Sequence, residues 1–242
     1  MNNVETSGGR PTFRAVTALP TYTAVRCAVT DLEAVLDPAV WQTATVAHVD
    51  QFHPKSSAHR PAVVARMLHS EDALHVKFDV DDRYVRSTLT AFQSRVSRDS
   101  CVEFFVQPAG ADGYFNFEIN AGGTLLVYFV EDPTPGDGDR LFRQYTVLPR
   151  LLGDQVRIEH SLPSLVEPEI QTAVAWMVTM TIPASAIEAY APGAFGRRNT
   201  PWRCNFFKCG DETSHPHWAA WANIGERLRF HQPNRFGWLE FK

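Results

Sequence analysis

The sequence predicts an all-β fold, a β-sandwich of two antiparallel sheets with one or two short helices. Three observations carry this expectation. Apolar and polar residues alternate at period 2 in segment after segment, as they do in strands with one buried face. Turn-forming clusters rich in Gly, Pro and Asp separate those segments at short spacing. Helix-period patterning is nearly absent, so the strands must bury their apolar faces against other strands, in an immunoglobulin- or jelly-roll-like arrangement.

The strands follow in order. Leu74 to Val80 alternates without a fault, and Cys101 to Val106 and Tyr114 to Asn120 repeat the pattern. Leu125 to Val130 is apolar on both faces and reads as a central strand. Val156 to His160, Ala173 to Ile182, Arg203 to Lys208 and Gly237 to Phe241 complete the set. Turns are marked at 108–113, 121–123 and the acidic Gly/Pro run 132–139. Two segments read as helical: Asp82 to Phe92, and Pro183 to Tyr190 with Pro at a plausible first helical position. With no composition shift and no repeat, residues 30–242 are expected to form one domain, and residues 1–29 an N-terminal extension or first strand.

Composition excludes several classes. The 23 Lys and Arg against 27 Asp and Glu give a net charge of −4, without the basic surplus of a nucleic-acid binder. No window approaches the roughly 18 apolar residues of a membrane helix. The N-terminus MNNVETSGGRPTFR lacks the apolar core of a secretory leader, so a cytoplasmic protein is expected, or a secreted one whose leader has been removed. Cys27, Cys101, Cys204 and Cys209 include no CxxC pair and read as buried or half-buried free thiols, with Cys204 and Cys209 on opposite strand faces. Oligomeric state is not encoded in any of these features.

Strand faces are more informative. The Phe115, Phe117 and Ile119 face of one strand and the Val102, Phe104 and Val106 face of another are core-like. Their opposite faces carry Tyr114, Asn116, Glu118 and Asn120, and Glu103, while a later strand turns Arg203, Asn205 and Phe207 to one side. Amides and carboxylates hydrogen-bond hydroxyl groups in defined directions, and rings cover apolar C–H surface, so neighbouring strands of this kind suit a sugar. The ordinary alternative is a solvated polar face, the default for a half-buried antiparallel sheet.

Other constellations are weaker. Glu103 and Glu118 form a carboxylate pair of the type glycoside hydrolysis uses at about 5–9 Å separation. His215 and His217 have ligand spacing but no third partner. Met67 and His69, two apart on a strand, point the same way and cannot flank a haem iron. Asp79, Asp81 and Asp82 are candidate calcium ligands, or simply a strand end. Phosphate-loop and nucleophile-elbow motifs are absent.

From Asp99-Ser-Cys-Val-Glu-Phe-Phe105 onward the chain resembles the family 9 carbohydrate-binding modules and their DOMON-like relatives. The anchors run in order: Trp41, the pair Ala62 to Leu68 and Leu74 to Val80 closed by Asp81, then Tyr114-Phe-Asn-Phe-Glu-Ile-Asn-Ala-Gly-Gly123. Trp176 to Pro183, Trp202 to Phe206, Trp218-Ala-Ala-Trp221 and Phe230 to Leu239 follow, so the likeness spans about residues 30–242 and is strongest to the bacterial branch.

The resemblance implies a β-sandwich, often with bound calcium, that binds sugars at chain ends of plant polysaccharides and serves carbohydrate catabolism. It carries the family's sugar-bonding acid onto Glu103 and a late-strand Asn onto Asn205. The two Trp residues that sandwich the sugar in the family correspond to Ser97 and Phe230, so the clamp is altered, with Phe92, Trp218 and Trp221 as nearby substitutes. The expected function is non-catalytic carbohydrate binding, in which Glu103, Glu118, Asn120 and Asn205 orient the sugar and Trp221, Phe230, Trp218 and Phe92 stack on it. The alternatives are a glycoside hydrolase using Glu103 with Glu118, a structural or interaction domain that has lost the site, and, more distantly, a haem or redox module. Among the aromatics, Phe104, Phe115, Phe117 and Trp176 are assigned to the core, and Trp41, Trp202 and Trp238 to the framework.

Overall fold

The computed structural model describes residues 18–27, 35, 37–138 and 140–242. Most of the expected N-terminal extension, and Asp139 of the acidic turn, lie outside the described residues. The chain is mostly β. Its strands are β1 (Thr21–Arg26), β2 (Val46–His48), β3 (Gln51–Phe52), β4 (Ala62–His69), β5 (Ala73–Asp82) and β6 (Val85–Ser87). Next come β7 (Cys101–Gln107), β8 (Tyr114–Asn120), β9 (Leu125–Asp132), β10 (Gln144–Val147) and β11 (Arg157–His160). The series closes with β12 (Val166–Ile170), β13 (Val174–Pro183), β14 (Trp202–Cys209), β15 (Trp218–Ala220) and β16 (Gly237–Phe241). Short α-helices cover Arg150–Gly153 and Ala184–Glu188, the second capped by Pro183.

The main strands form one long hydrogen-bonded path, β10-β9-β8-β7-β14-β16-β1-β4-β5-β13-β11, and β6 pairs with β12 apart from it. Two fully separate antiparallel sheets were expected, and β1 is the reason for the difference. Its residues Thr21 to Ala24 run parallel to β16, and Val25 and Arg26 run parallel to β4. One strand therefore changes partner halfway along and joins two antiparallel runs into a curled sheet.

Alternation places the apolar sets as expected. Val102, Phe104 and Val106 of β7, Phe115, Phe117 and Ile119 of β8, Phe206 of β14 and Trp176 of β13 belong to a single buried cluster. The helix expected over Asp82 to Phe92 does not form. Tyr84 takes a left-handed backbone at φ 58°, unfavourable for continuing a helix. The buried Asp99 carboxylate then accepts the backbone N–H groups of Thr88 and Leu89, both at 2.9 Å, and competes with helical bonding there.

Candidate functional site

The site is built on the other face of β7, β8 and β14. By strand alternation it receives Cys101, Glu103 and Phe105, then Tyr114, Asn116, Glu118 and Asn120, then Arg203, Asn205, Phe207 and Cys209. This face is buried rather than solvated. Phe105, Phe207, Phe230, Phe236, Phe142 and Ile224 form a second apolar cluster over it. The alternating pattern misleads here because rings sit between the polar residues and draw the segment 221–236 down as a cover.

Side chains hold that cover to the sheet. Asn205 Nδ2 donates to Ala222 O at 2.9 Å, and its Oδ1 accepts the Ala222 N–H at 2.8 Å. Arg203 Nε donates to Phe236 O at 3.1 Å, with its guanidinium 4.5 Å over the Trp238 ring. Within the cover, Gln232 Nε2 reaches Ile224 O at 3.0 Å and Arg229 O at 2.7 Å and braces the segment internally.

A cavity of about 520 Å³ remains beside the cover and opens to solvent. Glu103, Glu118, Trp218 and Phe230 line it together, from β7, β8, β15 and the covering segment. Ser97 lines it as well, so both positions that the family resemblance equates with sandwich Trp residues face one space. Glu103 and Glu118 are directly paired across β7 and β8, which sets their Cβ atoms about 5 Å apart. Asn116 Nδ2 donates to Glu118 at 2.7 Å and fixes its carboxyl group. Trp218 Nε1 donates to Asp211 Oδ1 at 2.7 Å, and the Phe230 ring lies on Phe207 with centroids 4.2 Å apart.

Burial dominates the electrostatics. Loss of solvent pushes the Glu118 carboxyl up to about 7 and raises Glu103 and Asp211 above the usual carboxylate range. Glu103 accepts from the Cys209 thiol at 3.2 Å. Among the described residues, neither Glu103 nor Glu118 has a basic ion-pair partner. A protonated carboxyl donates as well as accepts, so the floor can meet a hydroxyl in either sense.

The other candidate residues lie elsewhere. Asn120 Nδ2 donates to Leu89 O at 2.9 Å and to Asp99 at 3.0 Å, fastening a turn. Trp221 packs edge-on against Tyr22 and Phe206 at 6.1 and 5.7 Å, on the main-core side. Phe92 sits beside Gly153 under the Arg150 guanidinium, at a separate cavity with Gly123 and His160.

The acidic run does not fit a calcium cage. Asp79 is paired with Arg66 at 2.7 Å and Lys77 at 2.8 Å. Asp81 is exposed on the same strand face, while Asp82 points inward on the opposite one. Asp82 meets His59 Nε2 at 2.7 Å, Trp176 Nε1 at 3.2 Å and the Lys208 ammonium at 3.4 Å. That ammonium also bonds His217 Nε2 at 2.8 Å, so a built-in cation already occupies this buried cluster. Of the other residues singled out, His215 stacks on Tyr84 at 3.6 Å, His69 Nε2 meets Lys242 O at 3.2 Å, and Met67 is buried in the core.

Sequence reasoning missed Arg95, Arg98, Tyr128, Asp211, Arg229 and His231, all at the cavity. Most come from loops, where period-2 reading has no force, and Tyr128 lies mid-strand in β9, a run whose apolar residues on both faces hide which side meets the cavity. Lys208 carried a usable signal: it follows Cys204 and Phe206 on the core phase of β14, where a lysine demands a buried acid.

The molecule is thus a mostly β protein with an open cavity of acids and rings on one sheet face. The family model for carbohydrate-binding family 9 matches residues 32–241, and the chain belongs to that family. Among solved structures, a candidate carbohydrate-binding protein from Bacteroides uniformis ATCC 8492 superposes with a TM-score of 0.79 at 28% identity, covering 93% of this chain and 100% of that one. A family 9 carbohydrate-binding module from Caldicellulosiruptor kristjanssonii in complex with cellotriose gives a TM-score of 0.58 at 12% identity, covering 92% and 94%. The same organism's module in complex with glucose gives 0.51 at 13% identity, covering 92% and 96%. No curated protein matches the chain.

Proposed function

We propose that this protein binds carbohydrate without transforming it, and that the cavity under the 221–236 cover takes the end of an oligosaccharide as part of carbohydrate catabolism. The carrying observation is the meeting of Glu103, Glu118, Trp218 and Phe230 at one open space from four separate stretches of sequence. A cavity of about 520 Å³ falls within the usual size range of small-ligand sites. Trp218 and Phe230 offer ring surface for sugar C–H groups, and Glu103, Glu118 and Asp211 offer directional hydrogen bonds. Family membership supports a binding role over a catalytic one. A two-layer reading of the curled sheet is supported by the single core shared by Phe78 of β5 and Phe206 of β14, whose rings lie 6.1 Å apart.

The test is a glycan array followed by titration calorimetry on the best ligand. Trp218→Ala removes a half-buried ring and is expected to weaken binding by about 1–2 kcal/mol, roughly tenfold. Binding unchanged by both Trp218→Ala and Glu118→Gln would move the site elsewhere. Labelled oligosaccharides should be recovered intact, whereas cleavage that disappears in Glu103→Gln would make the protein a hydrolase.

A further inference from the structure

At and beneath the cavity floor, Glu103 of the proposed sugar site meets two thiols that sugar binding does not require. Cys101 of β7 lies directly opposite Cys209 of β14, and Glu103 follows two residues along β7 on the same face. One sulfur or oxygen atom from each lies within 4.8 Å of the other two, and the Cys209 sulfur is 3.2 Å from the Glu103 carboxyl. We propose that Cys101, Glu103 and Cys209 bind a thiophilic divalent cation of the zinc class, leaving one coordination position open to the cavity.

Geometry and donor chemistry both point this way. Zinc bonded to sulfur at about 2.3 Å and to oxygen at about 2.1 Å holds its ligands roughly 3.5–3.8 Å apart in a tetrahedron, a spacing bracketed by the 3.2 Å between Cys209 and Glu103 and the 4.8 Å limit of the group. Two thiols with one carboxyl select a soft cation over calcium or magnesium. All three residues lie on two adjacent, fully hydrogen-bonded strands, so the site is held by the sheet rather than by loops. Glu103 and Cys209 line the cavity and give an ion its way in. The other buried cluster, His59, Asp82 and His217, offers a useful contrast: the Lys208 ammonium already sits against two of its members. No basic side chain is ion-paired with the Cys101, Glu103 and Cys209 group among the described residues. On binding, each thiol releases its proton to solvent and the cation takes the resulting sulfur lone pairs; no electron is transferred.

The inference shares Glu103 with the proposed sugar site but rests on its own observations, and it is tested without sugar. Cobalt(II) is titrated into the full-length protein, kept reduced by a phosphine. A near-ultraviolet thiolate-to-cobalt charge-transfer band at one equivalent, bleached by zinc, is expected. Cys101→Ser and Cys209→Ser should each abolish the band, and Cys204→Ser, on the other face of β14, should leave it. As a check independent of variant folding, zinc should protect Cys209 of the wild-type protein from alkylation. Absence of the band at saturating cobalt, its survival in both variants, or unprotected alkylation overturns the proposal. The band without glycan binding refutes only the sugar reading, and glycan binding without the band refutes only this one.

Discussion

Asn205 offers a sharp discrimination between a ligand contact and a structural fastener. Its side chain satisfies both backbone groups of Ala222, at 2.9 and 2.8 Å, and accepts the Phe206 N–H at 3.0 Å, with no exposure to solvent. Asn205→Ala leaves the Ala222 N–H and C=O buried without those partners. At about 1–3 kcal/mol for each of these two unsatisfied buried groups, the loss is about 2–6 kcal/mol. Against a total stability of roughly 5–15 kcal/mol that is a large fraction. For a urea slope near 3 kcal/mol per molar, the midpoint should fall by about 1 M. The assay is urea unfolding followed by tryptophan fluorescence, with glycan binding measured on the same variant well below its transition. An unchanged midpoint accompanied by lost glycan binding refutes the fastener argument and makes Asn205 a direct sugar contact.

Two further outcomes follow from the buried charges. His231 is pushed down to about 3 by burial, with Arg229 adding to the effect, and it packs against Phe105 and Phe142 while bonding the Tyr114 hydroxyl at 2.8 Å. The folded state therefore holds it neutral, so its contribution is intact above the unfolded value near 6.5 and is lost as pH falls towards 3. Thermal melts should show an acid decline of a few kcal/mol across that window that His231→Phe flattens; an equally steep decline in the variant refutes the assignment. Lys208→Met strands the buried Asp82 carboxylate and should cost about 3–5 kcal/mol, with Asp82→Asn in the same chain restoring most of it. Strictly additive losses in calorimetric melting would show that the two groups are not coupled.

Legibility in the sequence followed the physics of alternation. Period 2 places Phe104, Phe115, Phe117 and Trp176 on core faces, because burial on one side of a strand leaves that imprint directly. Glu103 and Glu118 are legible as lying on the faces of their strands opposite the core for the same reason, while their direct pairing is set by a register that alternation does not report. What failed was the environment of that face: alternation reports which side a residue takes, but not what covers the side. Asn205 and Asn120 read as ligand contacts because an amide on a polar face looks the same whether it meets a sugar hydroxyl or a backbone peptide. Trp221 was misassigned for a related reason, since it lies three residues beyond Trp218 yet turns back to pack on Tyr22 and Phe206. The double pairing of β1 is likewise a long-range event that its six residues do not announce.

The covering segment explains why site and stability are joined in this protein. Phe230 and His231 face the cavity, while Gln232 braces the same stretch internally and Arg203 of β14 holds it to the sheet at Phe236. The fasteners act through backbone atoms of the segment: Asn205 on Ala222, Arg203 on Phe236, Gln232 on Ile224 and Arg229. Bonds to backbone do not depend on which side chain the held residue carries. Cavity-facing positions such as Leu228, Arg229 and Phe230 can therefore change in size and polarity while the wall stays in place. On the proposed sugar-binding reading, that division lets Phe230 vary while the wall stays in place and makes it a natural place to alter ligand preference.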